Sequence, residues 1–158
     1  MTDKRQLLRH TLATLAYRGG KALRGAPAEF ASFRAAPDSR SAGEILAHVC
    51  DLFDWASLIC AGRHVWADGP VVPWEEGCAR FFAGLEAFER ALETEEPLAA
   101  PEEKLFQGPI ADAFTHIGQI ALLRRLAGSP VRGENYFKAE IVTGRVGPDQ
   151  AAPKRELD

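Results

Sequence analysis

Apolar residues recur at helical spacing in four stretches of this chain. Leu8, Leu12 and Leu15 fall four and three residues apart, which places them on one helix face and predicts a first helix over about residues 2–17. Gly19-Gly20 loosens its end, and a long connection broken by Pro27 and Pro37 follows to about residue 40. Ser41-Ala42-Gly43-Glu44 then reads as a capping box, serine at N-cap and glutamate at N3. The second helix runs to about residue 61, with Gly62 as its stop. Its seam is Ile45, His48, Leu52, Trp55 and Ile59. A third helix starts at Pro73-Trp74 with Glu75 and Glu76 in the first turn, where the helix dipole favours acids. Phe81, Leu85, Phe88 and Leu92 form its stripe, and a loop spans about 94–107. A fourth helix is predicted from Gly108-Pro109 to Gly128, which Pro130 follows. Its stripe is Asp112, His116, Gln119, Leu123 and Leu126, with Arg124 and Arg125 in the last turn. Four amphipathic segments predict an all-α four-helix bundle with a C-terminal extension. The bundle domain is expected over 1–147, with a short helical stretch at 134–142, and a surface tail over 148–158.

Composition agrees. The 158 residues include 26 alanines and 16 leucines against 7 valines, 6 isoleucines and 6 threonines, an excess of helix formers over β-branched residues that excludes an all-β protein. With 19 basic against 22 acidic residues the net charge is −3. That balance lacks the basic excess of a nucleic-acid binder, so no nucleic-acid partner is expected. No segment reaches the ~20 apolar residues of a membrane span, and the first residues do not form a signal peptide. Cys50, Cys60 and Cys78 make no metal-finger spacing. Their odd number suits a reducing, cytoplasmic setting, with the thiols as small buried hydrophobes.

Three polar residues break the apolar seams: His48, Asp112 and His116. Asp112 and His116 are four apart and stack on one helix face, the spacing by which one helix offers two ligands to one metal. His48 lies on the second helix, and bundles bring such distant positions together between facing helices. Two imidazoles and one carboxylate suit a divalent ion, with zinc, iron, nickel and manganese all compatible. Three protein ligands leave an open coordination position, the mark of catalytic sites. Core histidines satisfied by ordinary hydrogen bonds are the competing reading. A buried aspartate needs a cation or strong donors in either case.

The stretch Ser41-Ala42-Gly43-Glu44-Ile45-Leu46-Ala47-His48 resembles the second-helix motif of the DinB-like, or YfiT-like, superfamily. His116-Ile117-Gly118-Gln119-Ile120 and the following Leu122-Leu123-Arg124-Arg125-Leu126-Ala127-Gly128 resemble its last bundle helix. The resemblance spans about residues 32–147. It implies a four-helix bundle, a homodimer, and a divalent metal held by His48, His116 and the residue four before it. That residue is most often histidine in the superfamily, and here it is Asp112. This departure implies either an altered metal preference or a weakened site. Members include transferases and isomerases dependent on low-molecular-weight thiols, and metal-dependent hydrolases of unassigned substrate.

The expected function is therefore divalent-metal chemistry on a small molecule: hydrolysis by metal-activated water, or transfer of a low-molecular-weight thiol. Glu44 and Asp51, four and three residues from His48, are general-base candidates, set against a capping role for Glu44 and a solvated one for Asp51. Tyr136 and Glu140 are further catalytic candidates if the segment after the last helix folds back over the site. The alternative is a non-catalytic helical dimer with a degenerate metal site, a binding or interaction module whose interface uses Trp66 and Trp74 as exposed aromatics. An iron oxygenase centre ranks below both, because nothing suggests a cosubstrate site. His10 and His64 have no partner pattern, and His64 is expected to be exposed.

Overall fold

A computed structural model describes residues 1–157. It is all-helical, with four long helices and no extended strand among the described residues. Helix α1 is Asp3–Leu23, α2 is Ala42–Cys60 and α3 is Trp74–Leu92. Helix α4 is a continuous rod over 102–126, made of an α-helical turn Glu102–Leu105, a π-helical turn Phe106–Ile110 and the long stretch Ala111–Leu126.

Two of these boundaries differ from the sequence reading. Helix α1 continues through Gly19 and Gly20 because tertiary packing needs them there: a Cβ on Gly19 would lie 2.4 Å from Cζ of Phe81, a fully buried ring. The glycine pair is the seat for α3 aromatics rather than a helix end. Helix α4 begins before Gly108-Pro109. Proline lacks an N–H and its ring clashes with the carbonyl four residues back, and widening the turn to π geometry accommodates both. The capping box at Ser41 forms as expected, with Ser41 Oγ accepting from Glu44 N and Glu44 accepting from Ser41 N.

Around the bundle the order is α1, α3, α2, α4, so α1 and α2 stand diagonally opposite. Leu46 meets Gly77 and Phe53 meets Gly84, so α2 and α3 run parallel. Gly19 meets Phe81 while Arg9 meets Glu89, so α1 and α3 run antiparallel. His48 meets Asp112 and Leu52 faces Ala111, so α2 and α4 are antiparallel. The core is the shared apolar face of all four, including the fully buried Leu12, Leu46, Phe53, Phe81, Phe88 and Ile120.

Parallel α2 and α3 have a consequence for their connection. Residues 61–73 must travel back along the length of α2, forming a strap. It is pinned midway, where Asp51 accepts from the Gly69 N–H at 3.1 Å and from Arg80 at 2.6 Å. A Cβ on Gly69 would lie 2.6 Å from both Arg80 and Asp51 atoms. The strap therefore reaches this ion pair only because it has glycine there.

Residues 129–157 form no helix over 134–142 beyond a single 3-10 turn, Tyr136–Lys138. They lie along α1. Glu134 is buried and accepts from Tyr17 Oη at 2.6 Å and Lys21 Nζ at 2.7 Å, while Lys21 also reaches Glu156 at 3.1 Å. Burial, joined by the bond to Glu134, pushes the Tyr17 phenol well above its usual range. Arg124, assigned from sequence to its own helix dipole, is buried and donates to the carbonyls of Ala22, Arg24 and Ser129, closing the end of α1.

Removing one partner of a buried ion pair leaves the other uncompensated. Lys21→Met is therefore expected to destabilise the protein by about 3 kcal/mol in denaturant unfolding. Lys21→Met combined with Glu134→Gln, which removes the uncompensated charge and keeps an acceptor for the Tyr17 hydroxyl, is expected to recover part of that loss.

Candidate metal centre

The antiparallel packing of α2 against α4 places His48 opposite Asp112 and His116. His48 Nε2 lies 3.2 Å from Asp112 Oδ2, and the two imidazole centroids are 4.7 Å apart. One ligand atom from each of the three residues lies within 4.8 Å of the other two. All three are partly buried. The π turn in α4 precedes Asp112 by two residues and sets the register in which it and His116 face α2.

Among the described residues Nδ1 of His116 is buried without a hydrogen-bond partner. A buried polar atom left unpaired costs roughly 1–3 kcal/mol, and coordination would remove that cost. Burial pulls the His116 pKa below the ordinary imidazole value, opposed by the charge of Asp112 and aided by His48 and Arg40. The ring is therefore held neutral, the form that ligates metal. The donor set and the orphaned nitrogen both fit a divalent ion.

The strap builds the wall of the site. Trp66 packs against His48 at 5.5 Å and edge-on against Trp55 at 5.7 Å, with its indole N–H donating to Asp68. Nothing local to Trp66 in the chain places it here, because the placement depends on the parallel helices. Trp74, read as exposed, is buried instead, its indole donating to the Leu23 carbonyl and its ring against Phe30. Two grooves flank the triad. One, of about 420 Å³, opens beside His116 and Arg40, and the other, of about 400 Å³, opens beside Asp112 and Trp55.

The other candidate residues lie apart from the triad. Glu44 is held by the capping box and by both guanidinium nitrogens of Arg34, which keep its carboxyl below the usual range. Asp51 is buried rather than solvated, and is used by Arg80 and the strap. Tyr136 stacks edge-on with Tyr17 under Arg18, on the α1 side of the bundle. Glu140 pairs with Lys154 on the surface. The tail thus covers α1 and not the site, because the buried Glu134 anchors it there. His64 is exposed, and His10 Nδ1 lies 3.2 Å from Thr143 Oγ1. Cys50 is buried, its thiol pushed up to about 12; Cys60 and Cys78 are partly buried and pushed up to about 11, all by desolvation. The sequence reading did not assign three residues beside the triad to the site: Trp66, read as an exposed interface aromatic; Gln119, read only as part of the last-helix stripe and motif; and Arg40, whose signal was its place next to Ser41.

Fold and site together define a helical bundle with a group of residues able to hold a divalent metal. No family model, no curated protein and no solved structure matches the chain. No helix among the described residues is long and apolar enough to cross a membrane.

Wild-type protein is expected to take up one equivalent of Zn²⁺ or Mn²⁺ in titration calorimetry, and His116→Ala to lose at least tenfold in affinity, as a loss of roughly 1.4 kcal/mol or more requires. Because Trp66 touches His48, Co²⁺ is expected to quench tryptophan fluorescence, with a smaller change in Trp66→Phe. Uptake is expected to fall at pH values below the ordinary imidazole range, as protons compete for His116, whose pKa burial lowers.

Proposed function

We propose that the protein is a divalent-metal-dependent hydrolase of the DinB-like superfamily acting on a small molecule. The observation that carries this reading is the convergence of His48, Asp112 and His116, with the buried, unpartnered Nδ1 of His116 among them. His48 and His116 are also the positions on which the sequence resemblance rests. Together the three would hold the ion and leave part of its coordination sphere to solvent and substrate. When bound, a divalent cation in such a site supplies Lewis acidity, polarising a carbonyl or phosphoryl oxygen and acidifying water.

The chain's own residues favour hydrolysis over thiol transfer. Asp112 makes the donor set harder than three imidazoles, and hard sets favour oxygen ligands over thiolates. Asp112, with its side chain partly exposed and bonded to His48, is the acidic group left at the site, since Glu44 and Asp51 are committed elsewhere. Trp66, braced by Trp55, packs against one side of His48. The same kinship implies a homodimer, which light scattering reads directly.

The reading is tested by screening the metal-loaded protein against a panel of chromogenic esters, amides and phosphoesters. Hydrolysis is expected that chelator abolishes, that added metal restores, and that His116→Ala and Asp112→Asn lower by at least 100-fold, about 2.7 kcal/mol of barrier. Stoichiometric metal with transfer of a low-molecular-weight thiol, and no hydrolysis, would overturn it.

A further inference from the structure

The groove beside His116 carries a chemistry of its own. Its lining includes Arg40 and Gln119 as well as the apolar Ile45, Leu122 and Leu123. Arg40 is exposed and forms no ion pair or side-chain hydrogen bond among the described residues. Arg34, six residues earlier, is by contrast committed to Glu44. Leu122 is 53% exposed, an apolar wall turned to solvent inside the groove. One side of the triad therefore presents an unpaired guanidinium, an amide and a strip of aliphatic surface in one concavity, the usual make-up of a small-ligand site.

We propose that this groove binds a small monocarboxylate with an apolar body, its carboxylate held by Arg40 and its body laid on Ile45, Leu122 and Leu123. A guanidinium fork matches a carboxylate bidentately. Arg40 is the one arginine or lysine lining the groove, so a single negative charge is matched. In the chelator-treated protein a dianionic phosphoryl group would bring a second negative charge that no second arginine or lysine of the groove meets. Gln119 offers a donor and an acceptor for a polar substituent near the triad. Arg40 thus acts as a specificity-determining residue that positions the substrate with its reacting group beside His116. The substrate role rests on the proposed hydrolase function, but the anion site itself does not.

Titration calorimetry with hexanoate, 1-hexanol and hexyl phosphate tests this on both metal-loaded and chelator-treated protein. Wild type is expected to bind hexanoate in both forms, more tightly than either analogue. Arg40→Gln is expected to weaken hexanoate roughly tenfold, as loss of a charge-assisted hydrogen bond requires, while leaving 1-hexanol and metal uptake unchanged. Leu122→Asp, at an exposed position, is expected to weaken hexanoate and 1-hexanol together. Absence of hexanoate binding, equal binding in Arg40→Gln, or hexyl phosphate binding as tightly as hexanoate would each overturn the proposal. Failure of the wild type to take up metal would remove the hydrolase reading alone, since the chelator-treated titrations still read the anion site.

Discussion

The parallel course of α2 and α3 is the constraint from which the rest of this structure follows. Two neighbouring helices that point the same way cannot be joined by a tight turn, so residues 61–73 return along the whole of α2. The same arrangement puts α1 diagonal to α2 and leaves the remaining flank of α2 to α4, with opposite direction. His48 faces that flank. The strap and the His48-Asp112-His116 group are thus two results of one packing choice, and they meet at Trp66.

Polar groups are buried where they settle that arrangement. Asp51 and Arg80 tie α2, α3 and the strap, Arg124 closes the end of α1 against α4, and Glu134 docks the tail on Tyr17 and Lys21. Each buried ion is paired or bonded, as the cost of desolvating a charge demands. Among the described residues Arg5 Nε, Arg80 Nη1, Glu89 Oε2 and His116 Nδ1 are each buried without a partner, but the other three side chains are bonded through their remaining atoms. Of the four, the His116 nitrogen is the one that stands beside a carboxylate and a second imidazole, in a group that could hold a metal ion.

The two grooves differ in character. Beside Asp112 and Trp55 the surface is acidic and aromatic. Beside His116 it is cationic and aliphatic. The two approaches to the triad therefore differ in the sign of the charge they present. The net charge of −3 says nothing of this, because it sums over the surface a distribution that matters at one point.

Local chemistry in the chain was enough to determine the all-helical fold, the Ser41 capping box, the start of α3 at Trp74 and the polar interruptions at His48, Asp112 and His116. These depend on propensity, periodicity and residues three or four apart, all properties of neighbours. Tertiary structure decided what depends on distant partners. Gly19-Gly20 stayed helical because Phe81 fills the space above Gly19, and the proline at 109 widened a helix instead of starting one because α4 packs on both sides of it. Asp51 became a strap anchor, Trp74 a core residue and Tyr136 a partner of Tyr17, since helix direction determines which side chains face each other. The sequence named the residues able to bind a metal, and the packing of α2 against α4 brought them within reach of one another.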